Sequence, residues 1–187
     1  MRDRLPPNQR LTSGWPVLHY GLVPRVDPAT WRFRADGAVR QVAEWSFAQF
    51  LALGETQSTS DVHCVTGWSR FDNVWRGVPY GALEARLELL PTARFALVRA
   101  VGGWTANLPV DDLRAPGVLF ATHHDGVPLS REHGGPIRLV VPHLYFWKSA
   151  KWVTGITYLE HDEPGFWEVN GYHMRGDPWK EERFRDD

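Results

Sequence analysis

Runs of apolar and alternating residues predict most strands of this 187-residue chain. Residues 31–37 alternate apolar and polar side chains and end in Asp36-Gly37, which is a strand-and-turn signal. A polar run of β-forming residues from Thr56 to Val65 predicts a strand that leads into the loop around Cys64. Further strands are predicted from mostly apolar runs at 95–101, 118–122, 137–141 and 152–159.

Two segments carry apolar residues at helical spacing. Residues 45–53 predict a short helix that ends at Gly54, and residues 80–90 predict a helix that ends before Pro91. Residues 1–25 are interrupted by Pro and Gly, which predicts an irregular N-terminal arm of a single domain spanning residues 1–187. Strands interleaved with short helices and long loops indicate an α+β fold of mixed β-sheets.

Composition and charge exclude several function classes. A hydrophobic content of 43% is enough for a buried core, and a net charge of -1 argues against a nucleic-acid partner. The motifs G-x-G-x-x-G, Walker A, G-x-S-x-G and H-E-x-x-H do not occur in the sequence. The N-terminus lacks the apolar stretch of a secretory signal and no run is long enough for a membrane span, so we expect a cytoplasmic protein.

Cys64 is the only cysteine and the leading candidate for chemistry. A single thiol cannot form an internal disulfide or a Cys-based zinc site by itself. It is compatible with a nucleophile, a redox thiol, a small buried hydrophobe, or the one soft ligand of a metal held mainly by a cofactor. Its neighbours His63, Thr66 and Arg70 favour a chemical role, because a nearby cation or metal stabilises the thiolate.

Two histidine-containing segments have different implications. His123 and His124 are adjacent on a predicted strand end and point to opposite faces, so they cannot both bind one metal without a bend. Residues 133–138, with the sequence HGGPIR, combine glycines that allow close backbone approach with an arginine suited to a phosphate. The alternative for this second segment is a Gly-Pro turn with a surface arginine.

The aromatic segment 145–152 contains Lys148, Ser149 and Lys151. Two lysines and a hydroxyl could bind an anion. A solvated turn, in which the lysine stems cover apolar surface, is the alternative.

Taken in order, these segments resemble the molybdopterin-binding domain of the sulfite oxidase family, over about residues 7–179. The family has a single cysteine in a loop, matched by Cys64, and a Gly-Gly-aromatic-Thr-x-Asn-Leu-Pro segment, matched by residues 102–109. A His-Gly-x-Pro-x-Arg motif before Val-Val-Pro is matched by residues 133–142, and Lys-Ser-x-Lys-Trp by residues 148–152. The Cys-Val-x-x-Trp-Ser run at residues 64–69 is closer to the bacterial branch that includes the methionine-sulfoxide reductase catalytic subunit than to animal and plant sulfite oxidases.

The resemblance implies a sulfite-oxidase-type fold and a molybdenum-dependent oxidoreductase that transfers an oxygen atom to or from a small sulfite- or sulfoxide-like substrate. It implies a molybdenum–molybdopterin cofactor with Cys64 as metal ligand and catalytic residue, and a separate electron-transfer partner. The cofactor-binding residues that it implies are Asn8, His63, Cys64, Thr66, Arg70, Asn107, His133, Arg138, Lys148, Ser149 and Lys151.

Two other functions stay open at this stage. A protein that kept the fold could bind molybdopterin or another anion without catalysis. A metal-free enzyme that uses the thiol is the other possibility, and it predicts a Cys64 that reacts readily with alkylating reagents.

Overall fold

Two β-sheets and their connections form the fold, which a computed structural model describes for residues 2–186. The strands are β1 Arg10–Leu11, β2 Arg32–Gly37, β3 Ala43–Ser46, β4 Thr56–His63, β5 Trp68–Pro79, β6 Phe95–Ala100, β7 Thr105–Pro109, β8 Leu119–His124, β9 Val127–Pro128, β10 Arg138–Val140 and β11 Val153–Leu159. The helices are α1 Phe47–Leu51, α2 Tyr80–Glu84, α3 Val110–Leu113 and α4 Phe166–Val169, with 3-10 turns at Arg2–Arg4 and Phe146–Lys148.

The first sheet is built around β5, the longest strand in the described residues. Strand β4 pairs with it antiparallel along most of its length, β1 pairs parallel at its start, and β8 pairs antiparallel at its end. Strands β10 and β9 extend the sheet beyond β8. The second sheet has the order β3-β2-β11-β6-β7, with β2 and β11 parallel. The predicted α+β class with mixed sheets is confirmed.

The two faces of the first sheet pack against different clusters of buried residues. Phe120 and Leu139 point into the main core, which they share with Phe33 and Ile156 of the second sheet. The alternate residues on the same strands point to the opposite face, where they form a second cluster with Cys64: Leu119, Ala121 and Val140, with Val62, Trp68 and Trp75. Cys64 therefore lies on the face of the first sheet that is turned away from the main core.

The helix predicted over residues 45–53 is shorter in the structure. Trp45 pairs with Phe33 between β3 and β2, and the helix begins only at Phe47. Ser46 caps it: its hydroxyl accepts from the Gln49 amide at 3.3 Å, and the Gln49 side chain accepts from the Ser46 amide at 2.8 Å. The capping box explains where the helix starts.

The helix predicted over residues 80–90 is wrong beyond Glu84. The backbone of residues 88–90 pairs instead with residues 38–40, through hydrogen bonds from Arg40 to the Glu88 carbonyl and from Leu90 to the Ala38 carbonyl. These bonds to a distant segment replace those of a continued helix, so tertiary pairing outweighs local helical spacing here.

The sequence did not predict strands β1, β3, β5, β7 and β9, whereas each predicted strand occurs within two residues of its expected bounds. The buried residues of β5 include Asn73 and Gly77 beside Trp75, so the strand lacks an apolar alternation. Gly77 is required because a Cβ there would lie 2.0 Å from the Phe120 carbonyl oxygen.

Residues 12–25 of the arm contain no helix or strand. Within residues 2–186 no helix has the length and hydrophobicity that a bilayer span requires.

Candidate functional site

A cavity of about 260 Å³ lies on the Cys64 face of the first sheet. Residues of the N-terminal arm line it, together with the Cys64 turn and the segments 133–138 and 146–152. Aromatic side chains from elsewhere complete the wall: Trp104, Trp167 and Tyr172. No aspartate or glutamate is among the described residues that line this cavity, so its charged groups are cationic.

Cys64 is the first residue after β4, in the turn that leads into β5. Its amide donates to the Trp68 carbonyl at 2.8 Å, and the Gly67 amide donates back to the Cys64 carbonyl at 3.0 Å, which closes the turn. Gly67 supplies the positive φ of 90° that the turn needs. The chain connection thus places the thiol at the end of a strand, on the wall of the cavity.

The Cys64 thiol is 7% exposed and lies 3.2 Å from the Thr66 hydroxyl. Burial raises its pKa, while the hydrogen bonds from Thr66 and the nearby charge of Arg183 act in the opposite direction. A metal ion coordinated by the sulfur would remove the proton, because a coordinating thiol is deprotonated. The site therefore suits a metal ligand better than a nucleophile that must ionise unaided.

Arg138 extends from β10 and is 1% exposed. Its guanidinium donates to the His133 and Ser149 carbonyls, both at 2.9 Å, and its central carbon lies 4.2 Å from the centroid of the Phe146 ring. Burial lowers its pKa to about 9, and it forms no ion pair with any carboxylate in residues 2–186. A buried charge is costly unless an opposite charge compensates it, so this wall suits an anion.

Gly134 allows the basic groups to come together. It has a φ of 104°, and a Cβ there would lie 3.0 Å from the Cβ of Lys151 and 3.1 Å from that of Arg138. Burial and the Arg138 charge lower the pKa of Lys151 to about 7. Gly134, in the segment whose glycines were predicted to approach a ligand, thus has Lys151 and Arg138 packed against its own backbone.

The arm closes over these basic groups. The Trp15 ring stacks on His133 with a centroid distance of 3.7 Å, and the Trp15 carbonyl lies 3.3 Å from the His133 Nε2. Lys151 donates at 2.7 Å to the carbonyls of Leu18 and Glu132. Backbone carbonyls of the arm therefore satisfy donors that face the cavity.

Trp68 contributes a donor without a partner. Its indole Nε1 is buried and makes no hydrogen bond within the described part of the chain, although the side chain lines the cavity. Buried N–H groups are normally paired, so an acceptor bound next to this nitrogen would complete its hydrogen bonding.

The structure brings six of the predicted site residues to the cavity: Cys64, Thr66, His133, Arg138, Ser149 and Lys151. Ser149 acts there through its neighbours, since its hydroxyl accepts from the Val141 amide at 2.9 Å and its carbonyl binds Arg138. The other five lie outside the cavity lining, and each has a partner elsewhere.

Asn8 and His63 are held beside the Cys64 turn rather than in the cavity. Asn8 donates to Glu181 at 2.6 Å. His63 is 4% exposed, its Nδ1 lies 2.8 Å from the Ser69 hydroxyl, and burial lowers its pKa to about 4. A neutral, fully packed His63 supports the hairpin.

Arg70 lies in an ion-pair network on the side of the sheet. It donates to Asp125 at 2.5 Å and to Asn73, and its NH1 lies 2.9 Å from the His124 Nε2.

The prediction that His123 and His124 face opposite sides of a strand is confirmed, since His124 is buried and His123 is only half-buried at the end of β8. Within residues 2–186 no three His, Cys, Asp or Glu side chains form a group that could hold a metal.

Lys148 and Asn107 belong to a separate buried cluster. The Lys148 ammonium lies 2.7 Å from the Glu168 carboxylate and donates to the Asn107 side chain at 2.7 Å and to the Met174 carbonyl at 2.5 Å. Burial lowers the pKa of Lys148, and Glu168 opposes that shift. These bonds join β7 to the C-terminal segment.

Sequence reasoning missed Trp15, Trp68, Trp104 and Tyr172 as cavity residues. Ten tryptophans indicate that some could line a cavity, yet their number does not say which. Their positions depend on contacts between distant segments, such as the 6.1 Å between the ring centroids of Trp104 and Trp167.

Comparison with known proteins gives a consistent result. A model of the oxidoreductase molybdopterin binding domain matches residues 20–167. The chain is 49% identical over 182 residues to the uncharacterized oxidoreductase YuiH of Bacillus subtilis, covering 97% of this chain and 92% of the relative. It is 26% identical over 156 residues to the protein-methionine-sulfoxide reductase catalytic subunit MsrP of Burkholderia mallei, covering 75% of this chain and 47% of the relative.

Among solved structures, the sulfane dehydrogenase SoxCD from Paracoccus pantotrophus matches with a TM-score of 0.70 at 20% identity. The match covers 77% of this chain and 42% of that chain. The chain thus spans about half the length of the methionine-sulfoxide reductase subunit and of the SoxCD chain. The structural likeness confirms the predicted sulfite-oxidase-type fold.

Proposed function

Because the chain belongs to the oxidoreductase molybdopterin-binding domain family of sulfite oxidase type, we propose that it binds a molybdenum–molybdopterin cofactor through Cys64 and catalyses oxygen-atom transfer on a small sulfoxide-like substrate. One observation carries the proposal: a single thiol lines the same cavity as a buried arginine that pairs with no carboxylate of residues 2–186. When bound, such a cofactor supplies two-electron redox chemistry coupled to oxygen-atom transfer.

The basic wall fits the anionic part of a molybdopterin. Arg138 and Lys151 provide charge-assisted donors, and the Trp68 indole N–H provides a neutral one. His133 lies on the same wall under Trp15, but its Nε2 already donates to the Trp15 carbonyl, so the donors offered to the cofactor are those of Arg138, Lys151 and Trp68. These groups would hold the cofactor by its phosphate and its polar ring edges.

Cys64 would supply the single protein sulfur to the metal. Its thiol gives up the proton on binding, and the raised pKa of the buried thiol means that the metal must provide the compensating charge. Thr66 stays within hydrogen-bond distance of the sulfur and can orient it.

The residues around the cavity favour a sulfoxide-like substrate over sulfite. Sulfite is a compact anion that requires cationic donors, and Arg70 is already bound to Asp125 on the side of the sheet. The cavity wall also contains Trp104, Trp167 and Tyr172, which can contact the apolar substituents of an organic sulfoxide. The similarity to subunits named methionine-sulfoxide reductase supports the same choice.

We also propose that electrons are exchanged with a separate protein partner. A pull-down from the native host tests this, if the captured protein then reduces the loaded enzyme.

A cytoplasmic location stays a prediction, which cell fractionation checks.

The central experiment measures molybdenum and pterin in protein purified from a host with an intact cofactor pathway. The proposal expects about one of each per chain in the wild type. Cys64→Ser should reduce turnover of a sulfoxide by at least about a thousandfold, because a hydroxyl is a much poorer ligand for a soft metal site. A matched control, Ser58→Cys, adds a thiol on β4 at a distance from the turn and should not restore activity to Cys64→Ser.

Three results would contradict the proposal. Wild-type protein without molybdenum or pterin would rule out the cofactor, and full activity of Cys64→Ser would rule out Cys64 as the ligand. A loaded protein that turns over no sulfoxide, sulfite or N-oxide would instead be a binding protein of this fold.

A further inference from the structure

The turn that carries Cys64 is held from outside by the two ends of the chain. On the N-terminal side, the Gln9 side-chain amide donates to the Cys64 carbonyl at 3.1 Å. The Arg10 amide donates to the Gly67 carbonyl at 2.9 Å. Gln9 and Arg10 both precede residues 20–167, the part of the chain that the family model matches.

On the C-terminal side, the Arg183 guanidinium donates to the Val65 carbonyl, next to Cys64 in the chain. Its central carbon lies 5.0 Å from the centroid of the Tyr145 ring, and its side chain is 17% exposed. A carboxylate oxygen of Glu181 lies 3.8 Å from the same guanidinium. The guanidinium therefore lies largely out of water, beside the turn.

The segment that carries Arg183 is anchored. The His173 amide donates to the Arg183 carbonyl at 3.2 Å, and the Arg185 amide donates to the Gly171 carbonyl at 3.0 Å. Lys148 holds the same segment through the Met174 carbonyl. These bonds fix the backbone of Arg183 relative to the body of the protein.

We propose that Arg183 is a positioning residue for the metal ligand: it fixes the Cys64 turn through the Val65 carbonyl and places a positive charge beside the thiolate. The proposal rests on Cys64 being the metal ligand. It assigns to the C-terminal segment, beyond the family match, a part in building the site.

A first experiment tests the positioning without reference to the metal. Hydrogen exchange of the amides of residues 64–67 is compared between wild type, Arg183→Gln, Arg183→Lys and the control Arg185→Gln. Arg185 also donates from the C-terminal segment to a backbone carbonyl, that of Glu168, at 3.0 Å and away from the turn. Exchange should become about tenfold faster in Arg183→Gln, because a charge-assisted hydrogen bond is lost, and change less in the two other variants.

A second experiment tests the charge in the loaded enzyme. The thiolate-to-molybdenum absorption band should move to longer wavelength in Arg183→Gln, since the sulfur loses electrostatic stabilisation, and the midpoint potential should fall. Arg183→Lys, which keeps the charge, should recover most of both shifts, and Arg185→Gln should show neither.

Equal exchange rates in wild type and Arg183→Gln would overturn the positioning role. An unmoved band and potential in Arg183→Gln would overturn the electrostatic one. If wild-type protein contains no cofactor, the proposed function fails, while the exchange experiment still decides whether Arg183 holds the turn.

Discussion

Arg138 and Lys148 are both buried basic side chains, and they differ in what compensates their charge. Lys148 has the Glu168 carboxylate at 2.7 Å within the protein. Among the described residues, the hydrogen-bond partners of Arg138 are backbone carbonyls, and it pairs with no carboxylate there. The first cation is neutralised by the fold itself, whereas the second faces a cavity without a carboxylate in the described residues.

The difference separates a structural role from a binding role. The family resemblance assigns both residues to the cofactor, because both lie in matching motifs. The contacts show that Lys148 joins β7 to the C-terminal segment, while Arg138 lines the cavity. A buried cation is thus a candidate ligand only when its charge is not already compensated.

The largest effect is expected at Lys148. Lys148→Met leaves the Glu168 carboxylate buried without its cation, so the free energy of unfolding should fall by about 3–5 kcal/mol in urea denaturation. Lys148→Met combined with Glu168→Leu should recover part of this loss, because both charges are then removed. The exposed pair of Arg114 and Glu84 is the control: Arg114→Ala should cost less than about 1 kcal/mol. If Lys148→Met lowers the free energy of unfolding by no more than Arg114→Ala does, Lys148 and Glu168 are not a structural ion pair.

The reverse pattern is expected at Arg138. Arg138→Met should lower bound molybdopterin by at least about tenfold, since a charge-assisted contact is lost. The unfolding free energy of the cofactor-free protein should fall by about 1–3 kcal/mol, less than for Lys148→Met, because the variant leaves the His133 and Ser149 carbonyls unpaired but no carboxylate. Cofactor analysis and urea denaturation of the same preparations give the two values. Destabilisation as large as that of Lys148→Met, with normal cofactor content, would make Arg138 structural.

The smallest effect concerns pH and the basic wall. Burial and Arg138 lower the pKa of Lys151 to about 7, so its positive charge is present below pH 7 and is lost above it. Sulfate, which stays dianionic, should bind cofactor-free protein about tenfold more weakly at pH 8.5 than at pH 6 in calorimetry. Lys151→Met should flatten the profile, whereas a change of the exposed Lys180 to Met should not. A pH-independent affinity in the wild type would mean that Lys151 does not contribute.

Much of the fold could be predicted from local pattern, and some of it could not. Strands such as β6 and β11 have an apolar pattern of their own, which the structure keeps. Strand β5 has no such pattern, because its inward face contains Asn73 and Gly77, which fit only against β4 and β8. Helix α2 stops early because residues 88–90 find backbone partners at 38–40.

By itself the sequence determined which chemical groups are present and the order in which they occur. The lone Cys64, the segment 133–138 and the lysines at 148 and 151 were enough to indicate the family and the sulfite-oxidase-type fold. Only the tertiary structure decided which of these groups face the cavity. The physical reason is that compensation of a buried charge depends on neighbours in space: Glu168 lies 20 positions after Lys148 and Asn107 lies 41 positions before it, and no local pattern records either contact.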